Sequence, residues 1–380
     1  MRPRKILFDA NPIANPRPSG VGYYTQGLVQ ALAAAGGDSL ELVGHYFAAG
    51  SSTKRLPQAP NIRYTPSRLW HPKIVNQLRR QGIDIPIEIL ARTKADFIIY
   101  PAFFGPPSLF GTPMTSMIHD VTYLDHPEMV AKRNQQDLAR FVPKTIGRSA
   151  FTVTISQFSK GKLEEAYPKL LHETLITPVP PAPWQPAHSP QKTLKKFGIT
   201  KDYVLFIGNL EPRKNLGNLA LAYSKLPNAL KQRFSLVLAG AEGWNNLDDM
   251  NQIRALIKDG NDIILTGYVN DDERNALFAQ ATALCFPSTY EGFGMPILEA
   301  MQAKIPTAIS DMPVFHEVAG EAALYFDPTK PTAIAKALQR LLQDTSLRQQ
   351  LIKQGNRQVS TYNWEQVAQS VLSKIDSVLG

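Results

Sequence analysis

Glu291 and Glu299 stand eight positions apart in Tyr290-Glu-Gly-Phe-Gly-Met-Pro-Ile-Leu-Glu299, around a glycine-containing turn that leads straight into a helix. Pro296 suits a first helical turn, where its missing N–H would be unpaired and its φ is already set, so a helix is predicted to begin near Met295. Gly292 and Gly294 keep side chains off the preceding backbone, and the amides around Phe293, Gly294 and Met295 can then approach a phosphate or sugar hydroxyls at the helix N-terminus. Glu299 falls at the end of the first turn. Its carboxylate can accept a pair of hydrogen bonds from a vicinal diol such as a ribose, while Glu291 lies in the loop beside the phosphate seat. The alternative for these residues taken singly is plainer: Glu299 complements the helix dipole and Glu291 is a solvated loop acid.

The string as a whole resembles the E-x7-E signature of retaining glycosyltransferases of family 4, which share the GT-B fold. Further matches are Phe206-Ile-Gly-Asn-Leu-Glu-Pro-Arg-Lys-Asn215, His119-Asp120 after an apolar run, Thr154-Ile-Ser156-Gln-Phe-Ser-Lys160, and Pro306 to Pro328 (PTAISDMPVFHEVAGEAALYFDP). The resemblance covers nearly all of the chain. It implies two Rossmann-like domains facing across a cleft, with a C-terminal helix crossing back to the N-terminal domain. It also implies transfer of a hexose from a nucleotide diphosphate sugar with retention at the anomeric carbon. The string is most similar to bacterial mannosyltransferases that use GDP-mannose, in cell-envelope or polysaccharide synthesis. UDP-linked hexoses, or a nucleotide-sugar epimerase of the same fold, are the alternatives.

Roles follow from the resemblance, residue by residue. Arg213 and Lys214 come just after a strand, where ligands of parallel sheets bind. There they would stabilise the leaving diphosphate, whose charge grows as the anomeric C–O bond breaks. Gly208 and Asn209 open the same turn. His119, at the end of Met117-Ile-His-Asp, would meet a hydroxyl of the donor sugar, and its competing reading is a satisfied core histidine. Tyr268 and Val269 would cradle the base. His119, Arg213, Lys214 and Glu291 are thus the catalytic candidates. Gly20 and Gly22, in Ser19-Gly-Val-Gly-Tyr-Tyr-Thr25, would bring backbone amides to the diphosphate or the reacting sugar. That loop is not a dinucleotide fingerprint, because Thr25 occupies the third glycine position, and Glu41 alone keeps a dehydrogenase reading open. No D-x-D occurs and no Cys/His set has zinc spacing, so no metal or other cofactor is expected.

The elements that must carry these residues are those of two α/β domains. The chain has 380 residues, of which 43% are hydrophobic, more than one core usually holds. Strands are expected at Lys5 to Asp9, Ala95 to Tyr100, Met114 to His119 and Phe151 to Ile155, with a helix over Tyr23 to Ala35. A second set is expected at Tyr203 to Ile207, Ser235 to Ala239, Ile263 to Leu265, Ala283 to Phe286 and Thr307 to Ile309. The proline-rich stretch from Leu175 to Pro190 reads as the interdomain linker. Residues 1–182 form the expected acceptor domain and 190–363 the donor domain. The apolar repeat Val367, Val371, Leu372, Ile375 and Val378 marks the returning helix, 364–380.

Composition bounds the partners. The single cysteine, Cys285, lies in an apolar run and reads as buried core, which suits a reducing cytosol. No stretch approaches the roughly 18 apolar residues of a membrane span, and the N-terminal run is too short for a signal peptide. The expected location is cytoplasmic, with a peripheral place on the inner face of the cell membrane as its variant. Residues 1–180 hold 21 Lys/Arg against 13 Asp/Glu, so almost all of the net +9 belongs to that half. Between Lys54 and Lys94 the bases Arg55, Arg63, Arg68, Lys73, Arg79, Arg80 and Arg92 surround Trp70, Ile74, Val75 and Leu78. That mixture suits contact with anionic headgroups and a glycan or lipid-linked acceptor. Nucleic-acid binding is not expected, since basic charge is its only support.

Overall fold

The computed structural model describes residues 2–17, 19–243 and 246–380. It divides into two compact units, one formed by residues 1–125, 132–182 and 363–380, the other by 126–131 and 183–362.

The first unit holds β1 (Arg4–Asp9), β2 (Leu40–Phe47), β3 (Ile62–Ser67), β4 (Phe97–Tyr100), β5 (Met114–Met117), β6 (Phe151–Thr154) and β7 (Thr174–Ile176). All pair in parallel, in the order β3-β2-β1-β4-β5-β6-β7. Helices on both faces explain why the inner strands are apolar runs rather than alternating sequences: Ile6, Leu7, Phe97 and Ile98 are fully buried. β3 and β7 are the edges. There a polar sequence with Pro66 is tolerated, because only one side of the strand must pair. That is why the periodicity of Ile-Arg-Tyr-Thr-Pro-Ser does not announce β3. It also corrects the expected linker, because Leu175 and Ile176 belong to β7 and the extended proline-rich segment follows them.

The second unit holds β8 (Asp202–Ile207), β9 (Phe234–Ala239), β10 (Ile263–Gly267), β11 (Ala283–Phe286), β12 (Thr307–Ser310) and β13 (Ala323–Phe326). These are again all parallel, in the order β10-β9-β8-β11-β12-β13. Cys285 is a buried free thiol in the middle of β11, and burial raises its pKa. In both sheets the strand order reverses beside the first strand, between β1 and β4 and between β8 and β11. Loops leaving the carboxyl ends of strands at such a switch point diverge and leave a crevice for a ligand.

The helix Trp364–Leu379 belongs to the first unit, as the resemblance implies, and packs on the helix Gly20–Gly36. Val367, Ala368, Val371 and Ile375 form its buried stripe. The Trp364 ring sits 5.6 Å from that of Tyr24. Gly27 lies under Trp364, where any Cβ would overlap the indole. Arg4–Asp376 and Lys374–Glu173 ion pairs flank the seam. No helix among the described residues is long and apolar enough to cross a membrane.

Candidate active site

In the second unit the candidate residues leave the carboxyl ends of β8, β10 and β11. After β8 the chain turns through Gly208 at φ 146° and Asn209, then enters a short 3-10 turn, Pro212–Lys214, ended by Asn215 in the left-handed region at φ 59°. This turn is tied to the one after β9: the Gly208 N–H donates to Ala239 O at 2.9 Å and the Leu210 N–H to Ala241 O at 2.9 Å. Gly240, at φ 154°, packs its backbone so closely on Gly208 that a Cβ would overlap the Gly208 carbonyl oxygen. A glycine is required there by approach as well as by conformation. Sequence reasoning passed over Gly240, since a glycine ending a strand carries no motif of its own.

The fixed turn delivers Arg213 and Lys214 to the loop after β11. Arg213 donates through Nε to Glu211 Oε2 at 3.0 Å, through Nη1 to the Tyr290 carbonyl at 3.2 Å, and through Nη1 to Glu291 Oε2. Lys214 is buried, donates through Nζ to Glu291 Oε1, and lies 4.9 Å from the centroid of the Phe286 ring. Ser288 Oγ donates to Glu291 Oε1 at 2.9 Å, and Asn209 Nδ2 to Glu211 Oε1 at 3.3 Å. Glu291 is therefore not a solvated loop acid. It is the buried counter-ion of both cations. Burial alone would raise its pKa, yet the adjacent Arg213 and Lys214 outweigh that and hold it at about 2. Burial, with the charge of Arg213 beside it, lowers the Lys214 ammonium below its usual range as well. Two cations stand against two carboxylates, Glu211 and Glu291, so the cluster is charge-balanced and its side chains are held in place by their mutual hydrogen bonds. Glu211, buried at 4% exposure, was not singled out from sequence because Glu-Pro-Arg-Lys-Asn reads as an ordinary polar turn.

From Glu291 the chain passes Phe293, buried and edge-on to the Tyr362 ring at 5.8 Å, and Gly294 at φ 101°. The helix Met295–Gln302 then begins as the sequence predicts, with Pro296 in its first turn. A Cβ at Gly294 would come 2.8 Å from the Phe315 ring, so this glycine too is set by both conformation and space. Glu299 lies buried on that helix and accepts from Arg274 Nη2. Tyr268, 46% exposed, and Val269 follow β10 and precede the helix Asp271–Gln280 that carries Arg274.

In the first unit, β5 ends at Met117, and buried His119 lies two residues beyond it. Its Nε2 is 2.9 Å from the Pro101 carbonyl in the loop after β4, and its ring is edge-on to Tyr24 at 5.5 Å. A carbonyl can only accept, so Nε2 carries the proton and Nδ1 is the acceptor nitrogen. Burial lowers the His119 pKa and keeps the ring neutral. Gly20 and Gly22 lie inside the first turn of the helix Gly20–Gly36, not in a loop before it. The Gly22 N–H already donates to Ser19 O at 2.9 Å, so that amide is committed to the helix itself. The expected basic surface is also thinner than its composition suggests. Arg63 pairs with Glu41, Arg79 with Asp84 and Arg80 with Asp137. Among the described residues, no group of three or more His, Cys, Asp or Glu could hold a metal ion.

Two parallel sheets with switch-point loops, and a cation-carboxylate cluster beside a glycine-started helix, define a GT-B glycosyltransferase architecture. Residues 191–358 match the family Glycosyl transferases group 1. The chain is 31% identical over 385 residues to O-antigen chain mannosyltransferase B of Escherichia coli, covering 95% of this chain and 96% of that protein. It is 32% identical over 171 residues to the serotype-specific mannosyltransferase WbdA of Escherichia coli, 45% of this chain and 20% of that one. Among solved structures it resembles WaaG, a glycosyltransferase involved in lipopolysaccharide biosynthesis, with TM-score 0.69 and 16% identity over 97% of this chain and 99% of that one. It likewise resembles Anabaena HepE in complex with UDP and glucose, with TM-score 0.70 and 16% identity over 98% and 100%. The chain belongs to the group 1 glycosyltransferases, and it is a glycosyltransferase.

Proposed function

We propose that this enzyme moves mannose from GDP-mannose, with retention at the anomeric carbon and without a metal ion, to a glycan or lipid-linked acceptor in bacterial polysaccharide synthesis. The observation that carries the donor side is the placement of Arg213 and Lys214 on Glu291, at the carboxyl ends of β8 and β11 and one turn of chain from the N-terminus of the helix at Met295. As the anomeric C–O bond breaks, negative charge moves onto the β-phosphate. Fixed cations and helix amides that need not reorganise stabilise that charge most at the transition state. The acceptor hydroxyl attacks the face that the phosphate leaves, and a phosphate oxygen takes its proton. On this reading the second unit, 190–363, binds the donor and the first unit, 1–182 with 364–380, binds the acceptor. Glu299 accepts from the ribose hydroxyls, Tyr268 and Val269 meet the base, and His119 offers Nδ1 to a sugar hydroxyl.

Mannose is favoured by the likeness to O-antigen chain mannosyltransferase B; GDP rests on the sequence resemblance to mannosyltransferases that use GDP-mannose. UDP-sugars are the second reading, favoured by the likeness to the UDP complexes of HepE. An anionic membrane surface remains a proposed partner. Its support is Leu69, Ile74 and Ile83, at 80%, 54% and 54% exposure, around the helix Pro72–Arg80 with Arg68 and Lys73 beside them. The deciding experiment is a thermal-shift screen of GDP, UDP, ADP and their sugars, since a ligand at 100 times its Kd adds about 2.7 kcal/mol. Transfer from the sugar nucleotide that stabilises most, with the product anomer read by NMR, follows. Stabilisation by UDP-sugars alone, or an inverted product, would refute the corresponding part.

A further inference from the structure

We infer that Arg274 is a positioning residue for the nucleotide, holding the Glu299 carboxylate in the state that reads the ribose diol. This rests on the proposed role of Glu299. Arg274 Nη2 donates to Glu299 Oε1, with the two side chains only 20% and 9% exposed. The contact joins two helices. One, Met295–Gln302, starts at the phosphate seat, and the other, Asp271–Gln280, starts directly after Tyr268 and Val269. The start of the second helix is held rigidly. Asn270 and Glu273 form a reciprocal capping box with bonds of 3.0 Å each, Glu273 is paired with Lys196 at 2.5 Å, and the Arg274 N–H donates to Asn270 O at 2.8 Å. The guanidinium is further braced 5.7 Å from the Phe278 ring. A displacement of the base-side loop is thereby carried to the ribose-side carboxylate.

Stability alone does not call for an ion pair here. A buried pair between helices is commonly no better than apolar residues of the same volume, and Leu277 and Phe278 already pack on this helix. What the pair does supply is a carboxylate held in one rotamer by a fixed partner before the ligand arrives. A carboxylate offers about four lone-pair positions, and the Arg274 hydrogen bond takes one, so Glu299 can still accept from two ribose hydroxyls. Without Arg274 it would be a buried charge with no fixed orientation.

The test measures Kd for GDP and 2′-deoxy-GDP, and for UDP and 2′-deoxy-UDP, by calorimetry on the full chain as wild type, Arg274→Leu, Arg274→Lys and Glu299→Gln. Wild type is expected to prefer the ribonucleotide of whichever pair binds tighter. Arg274→Leu should weaken the ribonucleotide about tenfold and bring the ratio of ribo to deoxy affinity near one. Arg274→Lys, which keeps the charge but loses the planar fork, should fall between, and it carries the test if the leucine variant does not fold. A ratio that stays at the wild-type value in the Arg274 variants while it collapses in Glu299→Gln would overturn the role of Arg274 alone. A ratio unchanged in Glu299→Gln would overturn the ribose reading of Glu299, and this inference with it.

Discussion

Replacing Glu291 by glutamine should expose how strongly the cation cluster depends on its counter-ion. Glutamine keeps the shape and one carbonyl acceptor but removes the charge that faces both Arg213 and Lys214. The pKa of Glu291 moves from its ordinary 4.5 to about 2, and each unit is worth about 1.4 kcal/mol, so the folded state gains about 3 kcal/mol from ionising this group. At 7% exposure the carboxylate is hardly screened by solvent. Breaking a buried pair from one side costs about 3–5 kcal/mol in general, which agrees. Because the folded pKa is depressed, this stability is fully present above about pH 4.5 and is lost as pH falls toward 2. Urea unfolding followed by circular dichroism should therefore place Glu291→Gln about 1 M below wild type at pH 7, for a urea m-value near 3 kcal/mol/M. The gap should narrow as pH drops from 4.5 to 3. On the proposed donor reading, saturating GDP should also narrow it, since its diphosphate would supply the missing negative charge. A midpoint equal to wild type at pH 7, or a gap that stays constant down to pH 3, would refute the account of Glu291 as the counter-ion.

Lys214→Met should reduce kcat about 100-fold with a smaller change in donor KM, the pattern of a group that acts on charge developed in the transition state. Equal loss in both would point to ground-state binding instead. Gly240→Ala should destabilise the second unit by about 3 kcal/mol or more, because the new Cβ must displace the Gly208 carbonyl and thus the turn before Arg213; a melting temperature equal to wild type would contradict the packing. Gly27→Ala should push out Trp364 and loosen the C-terminal helix, read as faster amide exchange over 364–379. Turnover should survive EDTA, and a loss restored by Mg2+ or Mn2+ would place a metal in the step.

The sequence by itself determined the class of fold and the helix start at Met295. Buried parallel strands must be short continuous apolar runs, and Pro296 with Gly294 leaves few other conformations open. It also pointed to residues that could carry charge into a site, because Arg213 and Lys214 follow a strand, Glu291 stands in a glycine-flanked turn and Glu299 lies one turn into the helix after it. It did not announce β2, β3, β7 or β13; of these, β3 has the polar composition of an edge strand that answers to a single neighbour instead of to a core. Nor could it say which charges meet. That Glu291 neutralises two cations, that Glu299 is held by Arg274 from another helix, and that Gly240 yields its side chain to Gly208 are all contacts between segments 25 to 78 residues apart or across neighbouring strands. Spacing along a chain fixes local backbone geometry, whereas counter-ions and close approaches are fixed only when strand order places distant loops side by side. For the cluster of Arg213, Lys214 and Glu291 that placement was made by the switch point between β8 and β11.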